Sequence, residues 1–221
     1  MQRSSSSNHS QLGKTMPNKI RLICNSVHFS PMLRTELQKY GLALSDNAEH
    51  IILVESSLGT VLSELENSEI DPSKVVVFTP NPCPEYWQDV LEMGVLGLVV
   101  SGLNKGMVLA AVEALSTKRE LKHIPQGKQA ALTIQERDVL RLIARSFSNK
   151  DIGDVLGKSE KTIMNNITHI LEKLTGTYPE LRFDNRGCLV HYYYGFWNNI
   201  GKDCRYLRIA KENRLEKRKN G

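Results

Sequence analysis

Three helix-start signals crowd into residues 133–160. Thr133 is followed three residues later by Glu136, Ser148 by Asp151, and Ser159 opens a third run. A Ser or Thr hydroxyl that accepts from the amide three residues on, answered by a carboxylate reaching back, is a helix N-cap. The first run carries Val139, Leu140, Leu142, Ile143 and Ala144 and ends near Ser146. The second is short, turns Ile152, Val155 and Leu156 inward, and is broken by Gly157. The third spans residues 160–174. Two helices joined by a turn of about three residues containing Gly make a helix-turn-helix. In the third helix Ile163, Ile167, Ile170, Leu171 and Leu174 form one stripe for packing, while Lys161, Met164, Asn165, Thr168 and Glu172 form another. That second stripe is the one to face a DNA major groove.

The preceding part of the chain follows a different rule. Residues 19–24 (KIRLIC), 50–55 (HIILVE), 74–80 (KVVVFTP) and 95–101 (VLGLVVS) are short apolar runs bounded by polar, Gly or Pro residues, with residues 42–45 as a weaker fifth. Between them, residues 31–40, 58–67 and 84–93 have helical spacing, and 105–121 closes the series. Strand alternating with helix predicts an α/β doubly wound parallel sheet, here followed by a small all-α helix-turn-helix domain. Two domains suit a chain of 221 residues. The division expected is a Ser-rich disordered lead-in at 1–18, the α/β domain at 19–121, a linker at 122–131, the helical domain at 132–200 and a basic tail at 201–221.

Charge separates the halves. Residues 1–124 hold 11 Lys/Arg against 13 Asp/Glu, and residues 125–221 hold 18 against 11. Residues 201–221 alone contribute 8 against 3, which reads either as a solvated tail or as a polyanion-binding segment. No apolar run reaches the roughly 18 residues of a membrane span, and the N-terminal residues lack the apolar core of a secretory signal. Cys24, Cys83, Cys188 and Cys204 are scattered singly, which fits a reducing cytoplasm without structural zinc. No paired-carboxylate, metal or nucleophile constellation stands out, so the chain reads as a non-enzyme with no cofactor and no metal. Cys24 and His28 read as a buried strand cysteine and a surface loop histidine.

Residues 132–174 resemble the LuxR/NarL-type (GerE-like) DNA-binding domain. The match runs through Leu132-Thr133, Glu136, Leu142-Ile143-Ala144, Ser148-Asn149-Lys150, Ile152, Leu156, Ser159, Thr162-Ile163 and Lys173-Leu174. The resemblance implies DNA binding by Lys150, Lys161, Thr162, Met164, Asn165, Asn166 and Thr168. Family members place Lys directly after the Thr-hydrophobic pair and His two residues later, whereas this chain has Met164 and Asn166. Asn165 suits adenine, and Met164 and the Thr168 methyl suit thymine methyls, giving an A/T-leaning site. Residues 175–187 are longer than the family's turn and read as an insertion. Leu189, Tyr192, Tyr193, Phe196 and Trp197 then make an aromatic helix stripe, either packed on the other three helices or shared with a dimer contact, as the resemblance implies.

Residues 19–121 resemble a response-regulator receiver domain at their strand ends, in VVVFT closing on Thr79 and in EMGVLGLVVSG. The departures carry the chemistry. Receivers hold Mg²⁺ with an acidic pair after the first strand, where this chain reads CNSVH at 24–28; Glu55 stands at the phospho-acceptor position and Ser101 at that of the Lys. Of the switch set Thr79 remains. Phosphoryl transfer needs a divalent cation and a cation on the phosphate oxygens, so a pseudo-receiver is expected, with Glu55 either a fixed charge imitating the phosphorylated state or a relic. The expectation is a cytoplasmic, sequence-specific DNA-binding transcriptional regulator, phosphorylation-independent. Its partners are double-stranded DNA, a second copy at least on DNA, and a protein at the pseudo-receiver, with no membrane. The alternative is a protein-interaction adaptor with a receiver-like docking domain and weak or no DNA binding.

Overall fold

The computed structural model describes residues 19–200 apart from 25, 27, 58 and 128. The expected lead-in at 1–18 and basic tail at 201–221 lie outside the described residues. Five parallel strands lie side by side in chain order: β1 (Arg21–Ile23), β2 (Ile51–Val54), β3 (Val75–Thr79), β4 (Gly97–Val100) and β5 (Leu121–His123). Helices α1 (Phe29–Lys39), α2 (Thr60–Asn67), α3 (Pro84–Glu92) and α4 (Lys105–Thr117) connect them. Alternate residues of a strand face opposite sides. Ile52, Val54, Val76, Phe78 and Val99 therefore pack with Leu33 and Leu37 of α1 and Val108, Val112 and Leu115 of α4. Ile51, Leu53, Val75, Val77 and Leu98 pack with Val61 and Leu65 of α2 and Tyr86, Trp87 and Val90 of α3.

Two details differ from the expectation. The weaker strand at 42–45 is reduced to a single parallel bridge between Ile20 and Leu44. The helix expected to run to residue 121 stops at Thr117, because Lys118 turns left-handed at φ 53°. The chain then adds β5 to the sheet edge, so Lys122 and His123 belong to a strand and not to the linker. Gly97 makes room for it: a Cβ there would lie 2.9 Å from both the Cβ and the carbonyl of Leu121.

The helical part comprises α5 (Ile134–Ala144), α6 (Asn149–Leu156), α7 (Glu160–Thr177) and α8 (Arg186–Tyr193). Thr133 with Glu136 and Ser148 with Asp151 form complete capping boxes, and Ser159 caps α7. The helix α7 runs three residues past the expected end, and the loop after it sends Tyr178 and Phe183 into the core. The aromatic stripe is divided: α8 ends at Tyr193, and Trp197 follows in a short 3₁₀ turn, stacked on Tyr192 at 5.4 Å between ring centroids.

The apolar core of the helical part is continuous with the α2/α3 side of the sheet. Val139, Leu140, Ile143, Leu189, Tyr192 and Tyr193 belong to the same buried cluster as Leu53, Tyr86 and Trp87. The two halves are thus docked over a shared interior.

Candidate nucleic-acid interface

The helix α7 is held by one face and open on the other. Ile163, Ile167, Ile170 and Leu174 are buried, while Lys161, Thr162, Met164, Asn165 and Thr168 are exposed and Asn166 is half-buried. Met164 is 54% exposed, a large apolar side chain left in water. At the start of the helix the Thr162 amide donates to Ser159 Oγ at 3.1 Å and the two hydroxyls lie 2.8 Å apart. Thr168 Oγ1 donates to the Met164 carbonyl at 3.2 Å. Lys150 is exposed in the first turn of α6, directly after the Ser148 cap. Lys173 Nζ reaches Glu136 at 2.7 Å, tying α7 to the start of α5. The Arg186 guanidinium donates to the Phe147 carbonyl, tying α8 to the turn before α6.

The electrostatics of this surface are close to balanced. Residues 132–200 contain 9 Lys/Arg and 8 Asp/Glu, and Arg137, Arg141, Arg145, Lys173 and Arg182 are each paired with a carboxylate. Lys150 and Lys161 are the exposed cations beside the outer stripe of α7, with Glu160 and Glu172 exposed on the same helix. The surplus positive charge belongs to residues 201–221, outside the described residues.

Glu55, directly after β2, is 5% exposed. Its carboxylate accepts from the Thr79 hydroxyl, from the Tyr86 hydroxyl at 2.6 Å and from the Gly59 amide at 2.6 Å. Burial pushes its pKa above the ordinary value, against the hydrogen bonds from Thr79, Tyr86 and the Gly59 and Val61 amides, which favour the charged form. Thr79 is therefore brought to Glu55. Ser101 is not part of this cluster: its hydroxyl donates to the neighbouring Gly102 carbonyl at 3.1 Å. Among the described residues no group of three or more metal-ligating side chains occurs, and no helix is long and apolar enough to cross a membrane.

Sequence reasoning missed the residues that join the halves. Glu85 and Asp89 of α3 are buried. Glu85 accepts from the Tyr192 hydroxyl and, at 2.8 Å, from the Ala131 amide. Asp89 accepts from the Tyr193 hydroxyl and pairs with Arg137 of α5 at 3.2 Å. Asn81 Nδ2 donates to the Tyr193 carbonyl at 3.1 Å. Glu55 reaches the same junction through its donors: Tyr86 meets Tyr193 edge-on at 5.5 Å, and Gly59, at φ 88°, lies under Tyr194 so closely that a Cβ would come 2.5 Å from the ring. A left-handed backbone without a side chain is what that contact requires. The one available signal was Tyr192-Tyr193-Tyr194 itself, since a buried tyrosine hydroxyl seeks a partner. Of the aromatic stripe, Leu189, Tyr192 and Tyr193 are almost wholly buried against α5 and α3, the packed alternative, while Phe196 is 45% exposed.

Residues 130–177 match the family described as bacterial regulatory proteins, luxR family. BvgA of Bordetella pertussis is 30% identical over 120 residues, which are 48% of this chain and 57% of BvgA. The transcriptional regulatory proteins ComA and DesR of Bacillus subtilis are 26% and 29% identical over 56% of this chain, covering 68% and 65% of their own lengths. The match thus spans little more than half the length of BvgA. Among solved structures, RcsB of Salmonella enterica serovar Typhimurium bound to a promoter is similar at 18% identity, covering 80% of this chain and 98% of that one, with a TM-score of 0.45.

Proposed function

We propose, from the premise that residues 130–177 are a LuxR-family helix-turn-helix domain, that the chain is a sequence-specific DNA-binding transcriptional regulator whose receiver-like domain works without phosphorylation. One observation carries the reading. The outer face of α7 stays exposed while Arg137 of α5 and Tyr192 and Tyr193 of α8 are tied to α3. DNA binding therefore needs no prior separation of the halves.

In this reading Lys150, Lys161 and Thr162 contact phosphates, and Met164, Asn165, Asn166 and Thr168 face base edges. The receiver-like domain takes residues 19–123 and the DNA-binding domain 132–200, joined by residues 124–131. The protein acts in the cytoplasm as a homodimer on double-stranded DNA. Glu55 places a carboxylate among Thr79, Tyr86 and the Gly59 turn, where a phosphorylated receiver would acquire its phosphoryl group. The residues at 24–28 hold no carboxylate to bind the cation that phosphoryl transfer requires.

A second reading, a protein-interaction adaptor, is favoured by the near-neutral outer face, with Glu160 and Glu172 on α7 and Met164 in place of a cation. Selecting bound fragments from random duplex DNA separates the two. Enrichment of one motif is expected of the regulator; recovery of fragments without a common motif supports the adaptor.

A further inference from the structure

The outer edge of β5 has the properties of a self-association surface. This strand is the end of the sheet. The Leu121 amide donates to the carbonyl of Leu96, the residue before β4, at 3.2 Å; by strand alternation the main-chain groups of Glu120 and Lys122 point away from β4. Glu120, Lys122 and His123 are exposed. The Glu120 and Lys122 side chains form an ion pair with each other, as residues two apart on one side of an extended chain do.

An open edge is a template for another strand, and a lone Lys on it normally discourages pairing. Here the order Glu120-Leu121-Lys122 reverses that effect in one register. Two copies related by a two-fold axis through Leu121 run antiparallel. Each Glu120 lies opposite the second copy's Lys122 in a hydrogen-bonded pair, and the two Leu121 residues form the non-hydrogen-bonded pair at the axis. Opposite charges directly across an antiparallel pair stabilise it, and like charges destabilise it. The register centred on Lys122 would set Lys against Lys and is disfavoured.

We propose that the β5 edge is a self-association surface, where a second copy of this chain pairs about Leu121 to continue the sheet across the dimer. Leu109 and Ala110 of α4 support it: they are half-buried yet belong to neither core. The axis is perpendicular to the sheet, so the two α4 helices come together on one face. Both helix-turn-helix domains then lie on the other face. The proposal rests on the DNA-binding reading for its use, and its geometry is independent of it.

The test is sedimentation equilibrium of the full chain without DNA. The unmodified protein is expected to be dimeric at tens of micromolar, and Glu120→Lys and Lys122→Glu each monomeric, since either places like charges opposite one another. Mixing the two variants sets Lys against Glu at both positions and should restore a dimer. Lys122→Pro, which removes an outward amide and leaves the β4 bonds in place, should also be monomeric, with circular dichroism confirming the fold. A monomeric unmodified protein, a dimer indifferent to these changes, or a mixture that stays monomeric would each overturn the proposal. Fragment selection from random DNA tests the regulator reading separately, so the two can fail independently.

Discussion

Glu55 is a carboxylate enclosed by two hydroxyls and main-chain amides, and every one of those groups donates to it. Glu55→Gln keeps the shape but turns an amide donor toward donors. It should lower stability by about 1–3 kcal/mol at pH 7, read by urea unfolding, because a buried polar group loses its partners. The pH dependence has a definite sign. Burial raises the folded-state pKa above the ordinary value of 4.5, so between the two values the folded protein binds more protons than the unfolded one. Stability from Glu55 therefore rises as pH falls through the raised pKa toward 4.5 and is lost as pH rises. The gap between wild type and Glu55→Gln should widen from pH 7 to pH 5; a gap that narrows would count against the buried-carboxylate account. Glu55 was legible as a departure from a receiver, since it stands in sequence where an aspartate was expected. Thr79 was legible beside it as the remaining switch residue, but Tyr86 and Gly59 were not, because Tyr86 comes from α3 and a glycine amide carries no sequence signal of its partner.

The caps made the C-terminal elements readable. Thr133, Ser148 and Ser159 act on amides three residues away, so their chemistry is local and the sequence carries it whole. The helix α7 was readable for the same reason, its two stripes separating into a buried and an exposed face. Replacing Asn165 or Thr168 with Ala should cost about 1–3 kcal/mol on the preferred duplex and much less on random DNA. Lys150→Ala should weaken both alike, as expected of a phosphate contact. Binding measurements on the two DNAs check this, and equal losses for Asn165→Ala would remove α7 from the groove. The strand β5 was not readable: Leu121-Lys122-His123 has one apolar residue, and its strand character comes from pairing with β4 across the opening at Gly97. Nor were Glu85 and Asp89, since charges on a helix read as a solvated face until Tyr192 and Tyr193, more than a hundred residues on, are brought to them.

At the scale of the molecule, the docked arrangement decides how the parts communicate. Asp89 and Arg137 are a buried ion pair bridging α3 and α5, and removing one partner of such a pair costs about 3–5 kcal/mol. Asp89→Ala should fall at the lower end, because Glu92 still holds Arg137. It should also expose residues 124–131 to protease faster than in the unmodified protein; unchanged cleavage would place the strength of the junction elsewhere. The central claim is that the DNA-binding face is open and the receiver-like half is set without phosphate. It is tested most directly by measuring affinity for the selected duplex, with intact mass, before and after incubation with acetyl phosphate and Mg²⁺. The account predicts the same mass and the same affinity in both samples. A stoichiometric phosphoryl adduct accompanied by tighter binding would contradict it.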